Sequence, residues 1–219
     1  MIRLWTFQTE DAFHEFEKNG CLVGNFSEPN YAQAYDWMVN EMKKKIGPPA
    51  VEGQYPIWAW YKCEDVDVQT GHLHVGQKGV RIEFEIDPSQ AVLFADDGWM
   101  HSVNYGYLGT SEEDCENFYK EVNDAGLYHL DHPRFIPLPE PYNQRIQKSW
   151  ERIFDLDWVV EGWTVLLKDR FVRAALWKLN KDQVRDVKWF TAKEQMSDWK
   201  ELDIDINGLS SNAVHSKVC

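Results

Sequence analysis

The chain has 219 residues and a mass of 25.8 kDa, a length typical of one globular domain. It carries 23 Lys and Arg against 36 Asp and Glu, and the resulting formal charge of −13 disfavours general binding to nucleic-acid phosphates. Aromatic residues make up 14% of the chain, which is enough for a large core and excludes disorder over most of its length.

The chain ends and the cysteines indicate a cytoplasmic protein. The first residues lack the basic and apolar regions of a secretory signal, and no window approaches the roughly 18 consecutive apolar residues of a membrane span. The four cysteines lie far apart without a C-x-x-C pair, so we expect reduced thiols. We expect residues 1–200 to form a single domain and the polar segment 201–219 to be a frayed tail.

The first half of the chain predicts two helices among short strands. Thr9 caps the first helix, which ends at Asn19-Gly20. The second helix is predicted from about Ser27-Glu28-Pro29 to Gly47, because apolar residues recur every three or four positions. Strands are predicted at residues 3–8, 55–62 and 80–86, the last by strict alternation.

The second half predicts a more varied series of elements. Residues 91–94 resume an apolar run, and Asp96-Asp97-Gly98 predicts a turn. Thr110 and Glu113 form a capping box for a helix that ends at Gly126. The remaining predictions are a proline-rich loop, a helix at 142–154, strands at 163–168, 171–179 and 187–190, one helical turn at 181–185, and a short helix after Thr191. We therefore predict an α+β fold with a mixed or antiparallel sheet and flanking helices.

Histidines and acidic residues suggest two places for a metal ion. His72 and His74 would share one face of a strand, with Cys63, Asp65 and Asp67 nearby in sequence. The other group, beside the proline-rich loop, consists of His129, Asp131 and His132. No third ligand has a characteristic spacing, so a solvent-exposed loop is the simpler interpretation, and we expect no metal.

Two pairs of carboxylates have a spacing that suits acid–base chemistry. Glu83 and Glu85 lie with Arg81 on one face of the strand 80–86, where a solvated sheet face is the alternative interpretation. Glu151 and Asp155 are four residues apart and share one side of the helix 142–154. That second pair either lines a pocket or solvates the end of the helix.

The 11 tryptophans offer a possible stacking platform. Trp58 and Trp60 share one face of their strand, and indole rings stack on nucleobases, nicotinamide or sugars as well as filling cores. The chain contains no P-loop, no G-x-G-x-x-G, no G-x-S-x-G and no H-E-x-x-H. Common nucleotide, hydrolase and metalloprotease signatures are therefore missing.

Six sequence blocks point to a family. They are LWTFQTEDAFHEFEKNG, AYDWMVNEMKKKIG, YPIWAWYK, VRIEFEID, SWERIFDLD and ALWKLNKDQVRDVKWF. Their order and the placement of their tryptophans resemble the bacterial DUF3841 family, a domain of unknown function, over nearly the whole chain. This resemblance implies membership and transfers no established activity.

The start of the chain bears a second resemblance. The stretch 4–8, LWTFQ, followed by a helix and by Gly20-Cys21-Leu22, resembles the start of ADP-ribosyltransferase folds, whose first strand and following turn hold NAD. The segment 172–177 resembles the strand that carries their catalytic glutamate, but here Ala175 stands at that position. The resemblance implies that Trp5, Thr6 and Gln8 contact NAD. For such an enzyme we expect Trp60 or Tyr61 to stack on the cofactor, and either Glu151 or Asp155 replaces the missing acid or the chain is non-catalytic.

Two main functions remain open. One is a nucleotide- or NAD-binding enzyme of the ADP-ribosyltransferase-like type, acting in bacterial or phage conflict on a small nucleotide-like ligand. The other is a non-catalytic acidic module that binds a basic protein partner or mimics a nucleic acid. A metal-dependent hydrolase built on His72 and His74 is the least favoured. The enzyme hypothesis requires the first strand, the aromatic rings and a late carboxylate to meet in one pocket.

Overall fold

The computed structural model describes residues 1–24, 31–62, 73–127, 137–160 and 164–193. The strands are β1 (Ile2–Thr9), β2 (Cys21–Val23), β3 (Ile57–Lys62), β4 (Lys78–Ile86), β5 (Ala91–Ala95), β6 (Val172–Leu176), β7 (Lys178–Asn180) and β8 (Val184–Thr191). The α-helices are α1 (Glu10–Asn19), α2 (Ala32–Ile46), α3 (Asp96–Val103), α4 (Glu112–Asp124) and α5 (Tyr142–Trp150). The predicted tail 201–219 and the residues after Lys193 lie outside the described residues.

An antiparallel sheet of six strands forms the centre of the molecule. Its order is β5-β6-β3-β1-β4-β8, and each neighbouring pair is antiparallel. The short strands β2 and β7 pair separately. The α+β class is therefore confirmed, with an antiparallel sheet flanked by helices.

The two faces of the sheet pack against different helices, because side chains alternate along each strand. On one face, α1 packs over a cluster that includes Leu4, Ile82 and Phe84. On the other face, α2 to α5 pack over a cluster that includes Phe94 and Ala175. The helical layer lies over the β5–β6 end of the sheet, and this arrangement decides where α5 lies.

Helix α5 is fixed by its last residue, Trp150, which is fully buried. The indole ring packs edge-on against Trp37 of α2, with 5.4 Å between ring centres, and against Tyr105. Its Nε1–H donates to the Gly106 carbonyl at 2.7 Å. A 3-10 turn, Glu151–Phe154, continues the helix and packs against β5.

Several predictions of local structure are wrong. Asp96-Asp97-Gly98 begins α3 instead of a turn. A Cβ at Gly98 would lie 2.8 Å from Ile153 Cγ2, so the glycine permits close packing of α3 on the 3-10 turn. Of the predicted strand 163–168, residue 163 lies outside the described residues, and residues 164–168 form irregular structure that leads into a turn, with Leu166 58% exposed. The predicted strand 171–179 is divided into β6 and β7 at Trp177.

Helix boundaries also differ from the predictions. Ser111, not Thr110, is the N-cap of α4, and its hydroxyl accepts from Asp114 N at 3.1 Å. Helix α2 begins at Ala32, and the stretch 25–30 that contains its predicted start lies outside the described residues. The Thr9 cap of α1 is confirmed, because its hydroxyl accepts from Ala12 N at 3.1 Å.

We predict that Trp150→Phe lowers the free energy of unfolding by about 1–3 kcal/mol, because the Gly106 carbonyl would lose its donor in a partly buried position. Trp189→Phe on β8 is the matched control, since Trp189 is 50% exposed, and we expect a change within about 0.5 kcal/mol. Urea denaturation followed by circular dichroism measures both values. Equal losses in the two variants would contradict the anchoring role of Trp150.

Candidate functional site

Two of the predicted NAD contacts, Trp5 and Trp60, are neighbours in the sheet. Trp5 of β1 lies directly opposite Trp60 of β3. The Trp5 indole donates to Glu83 Oε2 at 3.1 Å, and the Arg173 guanidinium lies 4.4 Å from the centre of the Trp60 ring. One face of the Trp60 ring is therefore occupied by a cation.

Thr6 and Gln8 lie on the opposite face of β1 from Trp5. Thr6 is 1% exposed and its hydroxyl donates to the Trp58 carbonyl at 2.8 Å, while Gln8 Nε2 donates to Thr6 Oγ1 at 2.8 Å. Tyr61 lies at an irregularity in the β3–β6 pairing and is 39% exposed. The structure thus places Trp5 and Trp60 at opposite positions of neighbouring strands, while Thr6 and Gln8 lie on the other face of β1.

Glu83 and Glu85 share one face of β4, as the alternation predicts. Arg3 pairs with them at 3.3 and 3.1 Å, and Arg185 pairs with Glu85 at 3.1 Å. Hydrogen bonds from Arg3 and then Arg185 lower the pKa of Glu85 below its ordinary value. Arg81 shares this face and is buried. The carboxylates therefore join β1, β4 and β8 through ion pairs.

Glu151 and Asp155, the predicted acids, lie in the helical layer. The Glu151 carboxylate accepts from Lys148 Nζ at 2.6 Å. Asp155 is exposed and accepts from Asp157 N at 3.1 Å. The 3-10 turn between the two acids packs against β5, and β1 is the third strand from β5, about 14 Å away across the sheet. The structure does not bring these acids together with the predicted residues of β1.

The metal candidates fall largely outside the described residues. Those outside are Cys63, Asp65, Asp67, His72, His129, Asp131 and His132. His74 lies in a loop, where its backbone N donates to Gln77 Oε1 at 3.1 Å. Within the described ranges, no group of three or more His, Cys, Asp or Glu residues is placed to hold a metal ion.

A partly buried group of ion pairs joins α3 to Arg170, just before β6, and to Arg173 within β6. Asp96 contacts Arg173, and Asp97 lies 3.6 Å from Arg170. Arg170 is 2% exposed and also donates to the Leu156 carbonyl at 2.8 Å. Burial raises the pKa of Asp96, while the contact with Arg173 opposes that rise. Because each carboxylate contacts an arginine, we interpret these ion pairs as contacts that hold α3 against β6.

A cleft lies between α5 and the loop that precedes α4. It has a volume of about 490 Å³, within the range of roughly 300–1,000 Å³ that is typical of small-molecule sites. Its lining residues are Tyr107, Pro141, Gln144, Arg145, Lys148, Ser149 and Arg152. Most of them come from one side of α5 and its 3-10 extension, so one helical segment supplies a whole wall.

Three of the lining residues, Arg145, Lys148 and Arg152, form what we call the cationic stripe. They are spaced by three and four residues, which places them on one side of a helix. Arg145 pairs with Glu121 of α4 at 2.7 Å, and Lys148 pairs with Glu151 at 2.6 Å. Both ion pairs are exposed to solvent, and such pairs contribute only about 0–1 kcal/mol each.

Arg152 is held by backbone carbonyls. Its Nη1 donates to the Leu108 carbonyl at 2.6 Å and to the Ser149 carbonyl at 3.4 Å. Across the part of the chain that the structure describes, no carboxylate forms an ion pair with Arg152. An ordered guanidinium without a paired carboxylate is suited to receive an anionic group.

Tyr107 and Asp114 form a polar pair beside the stripe. The Tyr107 ring stacks on Phe118 with 4.1 Å between ring centres, and its hydroxyl lies 3.4 Å from each Asp114 carboxylate oxygen. Burial, and then Asp114, raise the pKa of Tyr107, so its hydroxyl keeps its proton at neutral pH. The backbone N–H of Thr110 is the main cause that lowers the pKa of Asp114, which stays ionised.

The sequence contains a signal for the cationic stripe, although the predicted site residues do not include it. Basic residues at 145, 148 and 152 follow helical spacing in a strongly acidic chain. The opposite wall, by contrast, has no local signal, because Tyr107 reaches α5 only through tertiary packing between segments about forty residues apart.

Ala175, where the ADP-ribosyltransferase resemblance implies a glutamate, is fully buried in the cluster beneath the helical layer. We predict that Ala175→Glu destabilises the fold by at least about 3 kcal/mol, because an unpaired carboxylate would be buried there. Ala50→Glu, at an exposed loop position, is the control and should leave stability nearly unchanged. Thermal unfolding measures both variants, and a normally folded Ala175→Glu protein would contradict the prediction.

Within the described ranges, no helix is both long and apolar enough to cross a membrane.

Comparison with known proteins gives one result. Neither the curated proteins nor the solved structures yield a significant match. The family model described as Domain of unknown function (DUF3841) matches residues 3–185, which is most of the chain. The protein therefore belongs to the DUF3841 family.

Proposed function

We propose that this protein binds a small, nucleotide-like phosphorylated ligand in the cleft between α5 and the loop before α4. The observation that carries the proposal is the cationic stripe, which places three positive side chains along a cleft of about 490 Å³. Arginine and lysine at one site, with polar side chains between them, are typical of phosphate recognition.

The carboxylates that pair with the cationic stripe can be displaced by a ligand. The pairs of Arg145 with Glu121 and of Lys148 with Glu151 are exposed, so a phosphate can replace the two carboxylates at low cost. Arg152 needs no such exchange, because backbone carbonyls hold it. The ligand would therefore meet one fixed cation and two that turn toward it.

We predict that ADP binds the protein and that Lys148→Gln weakens this binding about tenfold, the loss expected for one charge-assisted hydrogen bond. Lys120→Gln is the matched control, because Lys120 also pairs with an acid on its own helix, Asp124, and does not line the cleft. Isothermal titration calorimetry measures both affinities. Absence of ADP binding, or equal weakening in the two variants, would overturn the proposal.

A second candidate is an NAD-consuming enzyme of the ADP-ribosyltransferase-like type. The observation that favours it is the position of Glu151, whose carboxylate touches Lys148 at the edge of the cleft. A diphosphate held by the stripe would bring the rest of NAD near this acid. In this arrangement the cleft contacts NAD, and the sheet face that carries Trp5 and Trp60 does not.

If this candidate is correct, we expect the protein to release nicotinamide from NAD and Glu151→Gln to reduce the rate at least about a hundredfold, the usual scale for loss of an acid–base group. Glu116→Gln, at an exposed position of α4, is the control and should keep the full rate. Chromatographic detection of nicotinamide measures the rates. No release by the unchanged protein rejects the enzyme while leaving ligand binding intact.

The acidic interaction module remains the alternative. The formal charge of −13 favours association with a basic protein surface. This module requires no ligand in the cleft, so failure of ADP to bind, together with capture of a stoichiometric basic partner, would support it.

A further inference from the structure

We infer that the ligand of the cleft carries a free hydroxyl group beside its phosphate, as a ribonucleotide or a sugar phosphate does, and that Tyr107 and Asp114 bind this hydroxyl. The inference rests on the proposed function, because it assigns the ligand class of the same cleft. It assigns a specificity role to two residues outside the cationic stripe.

The first step concerns the free capacity of Asp114. Its Oδ2 accepts from Thr110 N at 2.7 Å and from Thr110 Oγ1 at 3.1 Å, which fixes the carboxylate. Its Oδ1 accepts only a long bond of 3.4 Å from Tyr107, counting the described residues. A bond of this length is weak, so Oδ1 can accept from a ligand without loss of the Thr110 contacts.

The second step concerns the Tyr107 hydroxyl. Stacking on Phe118 fixes its ring, and the hydroxyl is equally far, 3.4 Å, from the two oxygens of Asp114. A ligand hydroxyl at this point can donate to Asp114 and accept from Tyr107 at the same time. Both protein groups would then gain short bonds in place of long ones.

The third step concerns charge. A carboxylate beside the cationic stripe repels a bare phosphate and lowers its affinity. The same carboxylate favours a ligand that presents a hydrogen-bond donor next to its phosphate. The pair of Tyr107 and Asp114 therefore selects for a hydroxyl-bearing phosphate ester and against inorganic phosphate or pyrophosphate.

The test compares ADP with dideoxy-ADP, which lacks both ribose hydroxyls, and with pyrophosphate. We expect the unchanged protein to bind ADP about tenfold more tightly than dideoxy-ADP, the loss expected for a hydrogen bond to a charged group. Asp114→Asn should reduce this ratio toward one and tighten pyrophosphate binding about two- to fivefold, because a repelling charge is removed. Calorimetry measures all affinities.

Tyr107→Phe is the second variant, since it keeps the ring stacked on Phe118 and removes only the hydroxyl. It should also reduce preference for ADP over dideoxy-ADP, with pyrophosphate binding unchanged. A purely structural role for Asp114 predicts the opposite for pyrophosphate, namely weaker binding in Asp114→Asn, and that result overturns the inference.

The outcomes separate the inference from the proposed function. If ADP and dideoxy-ADP bind the unchanged protein equally, the inference fails and the phosphate site stands. If neither ADP nor pyrophosphate binds, the proposed function fails, and the inference fails with it. A ribose preference that survives in both variants also overturns the assignment to Tyr107 and Asp114.

Discussion

Three hydrogen bonds determine the cleft, and they join the loop 106–108 to the end of α5 and to the 3-10 turn that continues it. The Trp150 indole donates to Gly106 O at 2.7 Å, Leu108 N donates to Ser149 Oγ at 2.9 Å, and Arg152 donates to Leu108 O at 2.6 Å. They lie on neighbouring residues of the helix end, so the loop can neither slide along α5 nor turn away from it. Tyr107, between the two anchored residues of the loop, is therefore held against the cationic stripe.

The core beneath α5 makes this geometry rigid. Trp150 lies between Trp37 and Tyr105, and the Tyr105 hydroxyl donates to Asn143 Oδ1 at 2.6 Å near the start of the same helix. Tyr105 adopts a positive φ of 59°, a strained conformation for a tyrosine that these contacts maintain. Because α5 is held at both ends, this wall of the cleft loses little conformational entropy when a ligand binds. Most of the contact energy therefore remains available for affinity.

The sequence predicted the local elements better than the site. The Thr9 cap and Gly20 define α1, and strict alternation defines β4, because these signals act over a few residues. The prediction of a turn at Asp96-Asp97-Gly98 was wrong because the helix that begins there depends on packing against Ile153, which lies far along the chain. For the same reason the sequence predicted a pocket shared by Trp5 and Glu151, because the strand order and helix placement that separate them have no local signature. The spacing of the cationic stripe indicates one face of a helix, but no sequence pattern indicates the opposite wall of the cleft.

The acidic charge of the whole chain does not argue against an anion site in this cleft. At physiological ionic strength, charges beyond about 8 Å are largely screened, so affinity depends on the groups that line and border the cleft. Of these, Glu121 and Glu151 are exposed partners that a ligand can displace, whereas Asp114 is fixed by Thr110 and stays in place. A negative charge that a ligand does not displace, that of Asp114, therefore lies beside the stripe. A ligand overcomes its repulsion best by offering that carboxylate a proton donor, and for this reason the local charges favour a phosphate ester with a hydroxyl group over a simple anion.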